Sequence, residues 1–209
     1  MRIVCISDTH LQHGFAIPGG DVLIHAGDGT SCGSWKEVAQ WFSWFALQPH
    51  RHKVVIAGNH DFLFEREPEL VAGLLPPGVV YLQDSGVVIE EIKIWGSPWQ
   101  PWFCDLAFNL PRGQRLAEKW AQIPDDTQML ITHGPPYGIL DKLPGATGEH
   151  VGCEALLERV QALPTLKLHI YGHIHCSHGV VHRNGVQFVN ASICDEAYKA
   201  VQAPIMVDF

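Results

Sequence analysis

Residues 53–61 read KVVIAGNHD, an apolar β-rich run that stops at Gly58 and then delivers Asn59, His60 and Asp61. Val54, Val55 and Ile56 are β-branched and suit a pleated, buried surface, which predicts a strand over Lys53–Ala57. Gly58 and Asn59 tolerate left-handed backbone, so a turn is expected there. Three side chains able to bind a cation or move a proton therefore leave this strand at its carboxyl end. Working outward, the same layout recurs. CISDTH (5–10) delivers Asp8 and His10, IHAGD (24–28) Asp28, LITHGPP (130–136) His133, and IYGHIH (170–175) His173 and His175. In open α/β sheets the carboxyl ends of the strands form the crevice where ligands bind, so groups distant in sequence converge there.

The remaining periodicity completes an α/β pattern. Strands are predicted at 3–7, 22–26, 79–82, 87–90, 93–95, 129–132, 168–171, 179–182 and 187–190. Helix-period segments fall at 34–47, about 67–75, 113–122 and 153–162. Ser34 with Glu37 three residues on reads as a capping box, and Gly185 as a hairpin turn. The near-continuous apolar strands early in the chain suit burial on both faces. No repeat or linker-like stretch interrupts the sequence, so one domain over residues 1–209 is expected.

The formal net charge is −8 with no lysine or arginine block, which disfavours a grip on long nucleic acid. No run approaches the roughly 18 apolar residues of a membrane span, and MRIVCISDTH lacks the long apolar stretch of a secretory signal. The six cysteines are scattered with no C-x-x-C pair, which suggests free thiols, mostly buried, in a reducing cytoplasm.

The strand-end residues are Asp8, His10, Asp28, Asn59, His133, His173 and His175. Two carboxylates, an amide oxygen and four imidazoles exceed what one tetrahedral ion takes, and they suit two ions sharing a carboxylate. The mixed O/N set without thiolate suits manganese, iron, zinc or cobalt better than soft ions. Asp8 with His10, and His173 with His175, would each chelate from one side of an extended chain. Other histidines lack this context; His25 and His169 lie in apolar strands and read as hydrogen-bonded core residues.

The ordered set D-x-H, GD, GNHD, H and GHxH resembles the calcineurin-like metallophosphoesterase superfamily. GSPWQPWFCDLAFNLPRGQ (96–114), THGPP (132–136) and FVNAS (188–192) are similar to its small metallophosphoesterase-domain-containing branch. The resemblance implies a four-layer αββα sandwich, two mixed β-sheets face to face between helices, with the site on loops at strand carboxyl ends. It assigns Asp8, His10 and His175 to one ion, Asn59, His133 and His173 to the other, and Asp28 as the bridge. It makes His60 the group facing the substrate phosphate and leaving-group oxygen, with Asp61 accepting a hydrogen bond from the other ring nitrogen. GDGTSCG (27–33) departs from the GDxxDRG of phosphoprotein phosphatases, with Ser31 where their second aspartate would fall, which argues against that subfamily.

The implied reaction is in-line attack on phosphorus by a hydroxide shared between two divalent ions, for which the resemblance implies manganese, with iron, zinc, cobalt or nickel as alternatives. The implied substrates are small nucleotide-type diesters such as cyclic nucleotides. A phosphomonoesterase, a nucleotide pyrophosphatase and a non-catalytic scaffold are the alternatives. Asn59 and His60 are the expected substrate contacts, with Asn109, Arg112 and His150 as further candidates. Trp95, Trp99, Trp102 and Phe103 would form either a base-stacking wall or part of the core. Trp41, Phe42, Trp44 and Phe45 would fill a core or a dimer interface. No membrane or polymer partner is expected, and the oligomeric state is open.

Overall fold

The computed structural model describes residues 1–145 and 148–209. In chain order the elements begin β1 (Arg2–Ile6), β2 (Val22–Ala26), α1 (Trp35–Ala46), β3 (His52–Ile56), α2 (Phe62–Arg66), α3 (Pro68–Leu74) and β4 (Val79–Tyr81). They continue β5 (Ser85–Ile89), β6 (Ile92–Ser97), β7 (Gln100–Pro101), β8 (Asn109–Leu110), α4 (Gln114–Trp120), β9 (Met129–Thr132) and α5 (Glu154–Ala162). The chain closes with β10 (Leu168–Tyr171), β11 (Gly179–Arg183), β12 (Val186–Asn190) and β13 (Ile205–Asp208). One mixed sheet has the order β13-β1-β2-β3-β4 and the other β11-β12-β10-β9-β6-β5.

The alternation of side chains along each strand divides the apolar residues among three layers of packing. Ile3, Cys5, Val22, Ile24, Val54 and Ile56 of the first sheet meet Ile94, Met129, Ile131, Leu168, Ile170 and Val189 of the second. Val4, Ile6, Leu23 and Val55 point the other way, onto Trp41, Phe42 and Phe45 of α1 and onto α2 and α3. Leu130, Tyr171 and Phe188 do the same toward Leu116 and Trp120 of α4 and Leu156 and Val160 of α5. The result is the expected αββα sandwich. Strands buried on both faces read as near-continuous apolar runs because each face meets a different layer.

Trp41, Phe42 and Phe45 are fully enclosed, so this aromatic helix fills a core; each such ring is worth about 1.5–3 kcal/mol of burial. The helix starts at the expected capping box, with Ser34 Oγ accepting from Glu37 N and Glu37 Oε2 accepting from Ser34 N. Asn184 and Gly185 turn β11 into β12 with φ of 50° and 79°, the left-handed pair that a tight hairpin requires. The short α2 and the strands β7, β8 and β13 carry too little periodicity to have been predicted; β13 buries only Val207 fully against the core. The cysteine expectation is half wrong. Cys5, Cys153 and Cys194 are buried, but Cys32, Cys104 and Cys176 are exposed outside the strands and α-helices, and all six are free thiols.

His25 and His169 are core residues, as their strands suggest. His169 Nε2 lies 2.9 Å from Thr132 Oγ1, whose proton goes to Gly134 O at 2.7 Å, so the ring nitrogen donates. Burial lowers the His169 pKa from 6.5 to about 3. The folded chain therefore refuses a proton that the unfolded chain accepts. Between pH 6.5 and 3 this one ring costs about 1.4 kcal/mol of stability per pH unit of acidification. In urea unfolding at several pH values below 6.5, His169→Gln should shallow the wild-type slope by about that amount; an unchanged slope contradicts the assignment.

Candidate metal centre

The parallel strands β1, β2 and β3, and β9 and β10 in the other sheet, all end on one edge of the sandwich. The two edges are tied by a parallel bridge between Ser7 and Ser192. Each strand end there turns sharply. Asp8, His10, Asp28 and His173 have φ of 52°, 42°, 56° and 67°, left-handed values that a residue with a Cβ rarely adopts. Such positions cost about 1–3 kcal/mol each and persist where surrounding contacts over-determine them. Here the loops lock one another: Asp8 N donates to Gly27 O at 2.9 Å, His10 N to Asp28 O at 3.1 Å, and Gly172 N to His133 O at 3.0 Å.

The expectation of extended D-x-H and H-x-H segments is therefore corrected. The backbone bends at Asp8, His10 and His173, and His175 opens a single 3₁₀ turn, so Asp8 and His10 come together across a bend rather than along a strand, and His173 and His175 turn to different partners. That bend sends His173 toward His133, 5.0 Å between ring centroids, and His175 toward Asp8. Two glycines make room. A Cβ on Gly58 would stand 2.2 Å from Asp28 Oδ1, and one on Gly172 would stand 2.0 Å from Asp8 Oδ2.

The side chains form overlapping clusters. Ligand atoms of Asp8, His10 and His175 lie within 4.8 Å of one another, as do those of Asp8, Asp28 and His133. Asp28 Oδ2 stands between the groups, 3.3 Å from His133 Nε2 and 3.9 Å from His10 Nε2. Asn59 Oδ1 accepts from His133 Nε2 at 2.8 Å. Three rings are aimed by one device: Nδ1 donates to a backbone carbonyl, from His10 to Thr30 at 3.1 Å, from His133 to Ala26 at 2.9 Å and from His175 to Asp195 at 2.9 Å. A carbonyl can only accept, so Nδ1 carries the proton and Nε2 is turned inward, the arrangement that orients imidazole ligands.

Charge reinforces this reading. Burial opposes ionisation of Asp8, yet the hydrogen bond and charge of His175 hold its carboxyl well below the usual range. Asp28 is likewise buried and held low by His133. Burial works against a charge on His133 and His175 too, but Asp28 and Asp8 respectively raise them to about 9. Protons on these two rings balance the enclosed carboxylates, and divalent cations would take that place by displacing them. His10 Nε2 is buried with no hydrogen-bond partner, a lone pair aimed at nothing but the cluster. The donor set thus fits divalent metal ions.

His60 stands at the mouth. Its backbone N–H donates to Asp28 Oδ1 at 2.8 Å, and its Nδ1 donates to Ser31 O at 2.9 Å, leaving Nε2 free. The expected partnership of Asp61 with the His60 ring is not formed and is corrected here. The Asp61 carboxylate is buried beneath the loops, where it accepts from Gly58 N at 2.8 Å, Asp28 N at 2.9 Å, Thr30 N at 3.0 Å and Thr30 Oγ1 at 2.6 Å. It fastens the GD loop to the GNHD loop. Adjacent side chains on a tight turn diverge, so Asp61 points into the protein while its neighbour points out.

The further substrate candidates fare differently. Asn109 Nδ2 donates to Phe103 O at 2.8 Å and its Oδ1 accepts from Gln100, so it braces its own loop, and it is not among the residues lining the cleft beside the carboxylates and imidazoles. Arg112 spends its guanidinium on Gly152 O and Val151 O, both 2.7 Å, and on Glu154. His150 is paired with the buried Asp141 carboxylate and does not line the cleft. The aromatic run divides: Trp95 and Trp99 pack against the helical layer, whereas Trp102 and Phe103 are 59% and 58% exposed. A cleft of about 290 Å³ has Asp28, Asn59, His60, His173 and His175 among its lining residues, with Phe103 and Tyr198 toward the rim. Neither Tyr198 nor Ser192, whose Oγ sits 2.9 Å from Asp8 Oδ2, was assigned a role from sequence. Ser192 lies in the FVNAS segment, but nothing around Tyr198 signals a site.

Two mixed sheets face to face, with carboxylates and imidazoles gathered at their shared carboxyl edge, define a metal-dependent phosphoesterase. The chain belongs to the calcineurin-like phosphoesterase family, whose model matches residues 1–177. It is 43% identical over 99% of its length to human metallophosphoesterase domain-containing protein 1, spanning 70% of that protein. It is 38% identical over its whole length to a UPF0046 protein of Caenorhabditis elegans, spanning 80% of it. The fold also matches the crystal structure of TT1561 of Thermus thermophilus, with a TM-score of 0.58 at 13% identity over 90% of this chain and 88% of that one. The family uses divalent metal ions. Among the described residues, no helix is long and apolar enough to cross a membrane.

Proposed function

We propose that this phosphoesterase is a phosphodiesterase acting on small nucleotide-type diesters, cyclic nucleotides among them. Asp8, His10 and His175 would hold one cation and Asn59, His133 and His173 a second, with Asp28 between them and manganese the preferred ion. Bound there, such ions supply an acidified water and neutralise charge on phosphoryl oxygens. Asn59 and His60 would meet the phosphate, and His60, its ring held by the Nδ1 tether to Ser31, would in its doubly protonated form give the Nε2 proton to the departing oxygen and be left as the neutral Nδ1–H ring.

The observation that carries the diester reading is the composition of the cleft. Among its described lining residues there is no lysine or arginine, the guanidinium of Arg112 in the adjoining pocket is bound to Gly152 O, Val151 O and Glu154, and Glu196 adds a carboxylate at the rim. A monoester dianion needs cations to offset its second charge, whereas a diester carries only one. The exposed Trp102 and Phe103 offer flat apolar faces beside the centre, where a base or another aromatic leaving group would stack. Six free thiols and a net charge of −8 support a small soluble substrate and a cytoplasmic location rather than a polymer or a membrane.

Manganese-supported hydrolysis of bis(p-nitrophenyl) phosphate should exceed that of p-nitrophenyl phosphate by about tenfold or more, the factor a difference of ~1.4 kcal/mol gives. A chelated control should abolish both. A monoester preference would turn the reading to a phosphomonoesterase.

A further inference from the structure

The family model ends at residue 177, yet the chain returns to the centre after that point. Asp195 O accepts from His175 Nδ1, and the turn that follows is tightly fastened: Asp195 Oδ1 accepts from Ala197 N and Lys199 N, both 2.9 Å, and Asp195 O accepts from Tyr198 N at 2.9 Å. This turn forces Tyr198 to a φ of 57°, an uncommon conformation for an aromatic residue. Its ring is thereby set over three imidazoles, with centroids 4.7 Å from His10, 5.6 Å from His175 and 5.9 Å from His60, all near perpendicular. Edge-to-face packing of this kind is favourable and directional. The ring remains 47% exposed, so one side faces the cleft.

His60 needs such a neighbour. One hydrogen bond fixes its ring, from Nδ1 to Ser31 O, and its aromatic contacts are His10 at 4.9 Å and Tyr198. His10, in contrast, is held by Thr30 O and enclosed on all sides. We propose that Tyr198 is a positioning residue for the reaction, its ring confining His60 with Nε2 turned into the cleft. This role rests on the phosphoesterase reading for its consequence in turnover, though not for the geometry itself. The ring supplies the confinement, so a phenylalanine preserves it.

Tyr198→Gly is the informative variant, because glycine adopts the left-handed backbone freely and keeps the turn while deleting the ring. The full-length variant should retain the wild-type metal content. It should lose about 10–100-fold in kcat on diesters with basic leaving groups, part of the range that positioned proton transfer supplies, and much less on p-nitrophenyl diesters that need no protonation. Tyr198→Phe should restore the wild-type leaving-group dependence. In zinc-loaded protein, ¹⁵N spectra of the His60 ring should show sharp Nδ1 and Nε2 signals of one held ring orientation in wild type and an exchange-broadened ring in Tyr198→Gly. An unchanged leaving-group dependence with an unchanged His60 signal overturns the proposal. So does loss of metal in a folded Tyr198→Gly chain, which would make the ring a support of the metal site. Should the wild-type chain lack metal-dependent turnover, the phosphoesterase reading fails, and the His60 ring signals alone decide the role of Tyr198.

Discussion

His60→Ala should bind its metals as the wild type does and lose about 10²–10⁴-fold in kcat, the span that positioned acid–base catalysis supplies. The ring's surroundings set this expectation. Ser31 O holds Nδ1 and the backbone N–H is bound to Asp28 Oδ1, so Nε2 is the free end and lies at the cleft. Truncation removes that nitrogen while leaving the backbone contact with Asp28 in place. The loss should be steepest for leaving groups of high pKa, because they depend most on receiving a proton. His60 also stands near enough to His10 and Asp28 for all three to share an ion. Metal analysis separates the two roles: a variant that loses an ion along with its rate would make His60 a ligand. Wild-type turnover of a diester with a basic leaving group would remove it from the chemistry.

Asp61→Ala is the second large effect, and it follows from the structure rather than from the resemblance. The substitution strips the acceptor from the N–H groups of Gly58, Asp28 and Thr30 and from the Thr30 hydroxyl. Asp61 is 1% exposed, so water does not readily replace the lost partner. Each buried donor left unpaired costs about 1–3 kcal/mol, which sets a total of several kcal/mol for the variant. The two loops it joins carry Asp28 and Asn59, so metal affinity should fall with stability. Denaturant unfolding and metal stoichiometry report both quantities on one sample. Asp61→Asn keeps one acceptor oxygen and should recover part of the loss. If Asp61→Ala instead preserved stability and metal while changing only the leaving-group dependence, its action would be on His60 after all.

Both variants change neighbours in one motif, and the contrast between them shows how far a sequence reaches. The strand-end rule located Asp8, Asp28, Asn59, His133 and His173 on one edge because strand direction and the period of two fix where a parallel strand emits its last residues. The capping box at Ser34 and the hairpin at Gly185 are determined over three or four residues, and they were legible for that reason. The division of each strand between two packing layers was visible as an unbroken apolar run.

What lay outside local sequence needed the assembled chain. The left-handed backbone at Asp8, His10 and His173 is strain that only the interlocked loops maintain, so an extended D-x-H was the reasonable but wrong expectation. Asp61 turns inward because five donors from two loops meet there, and a neighbour in sequence could not reveal them. Arg112 and Asn109 look free as residues but are consumed by carbonyls 40 and 6 positions away. Tyr198 joins the site from 138 residues beyond His60 through a turn that has no motif. Sequence alone determined which groups leave which strand ends, since that depends on local backbone period. Tertiary structure decided where each ring and carboxylate points, since a side chain's orientation follows from partners the chain brings from far away.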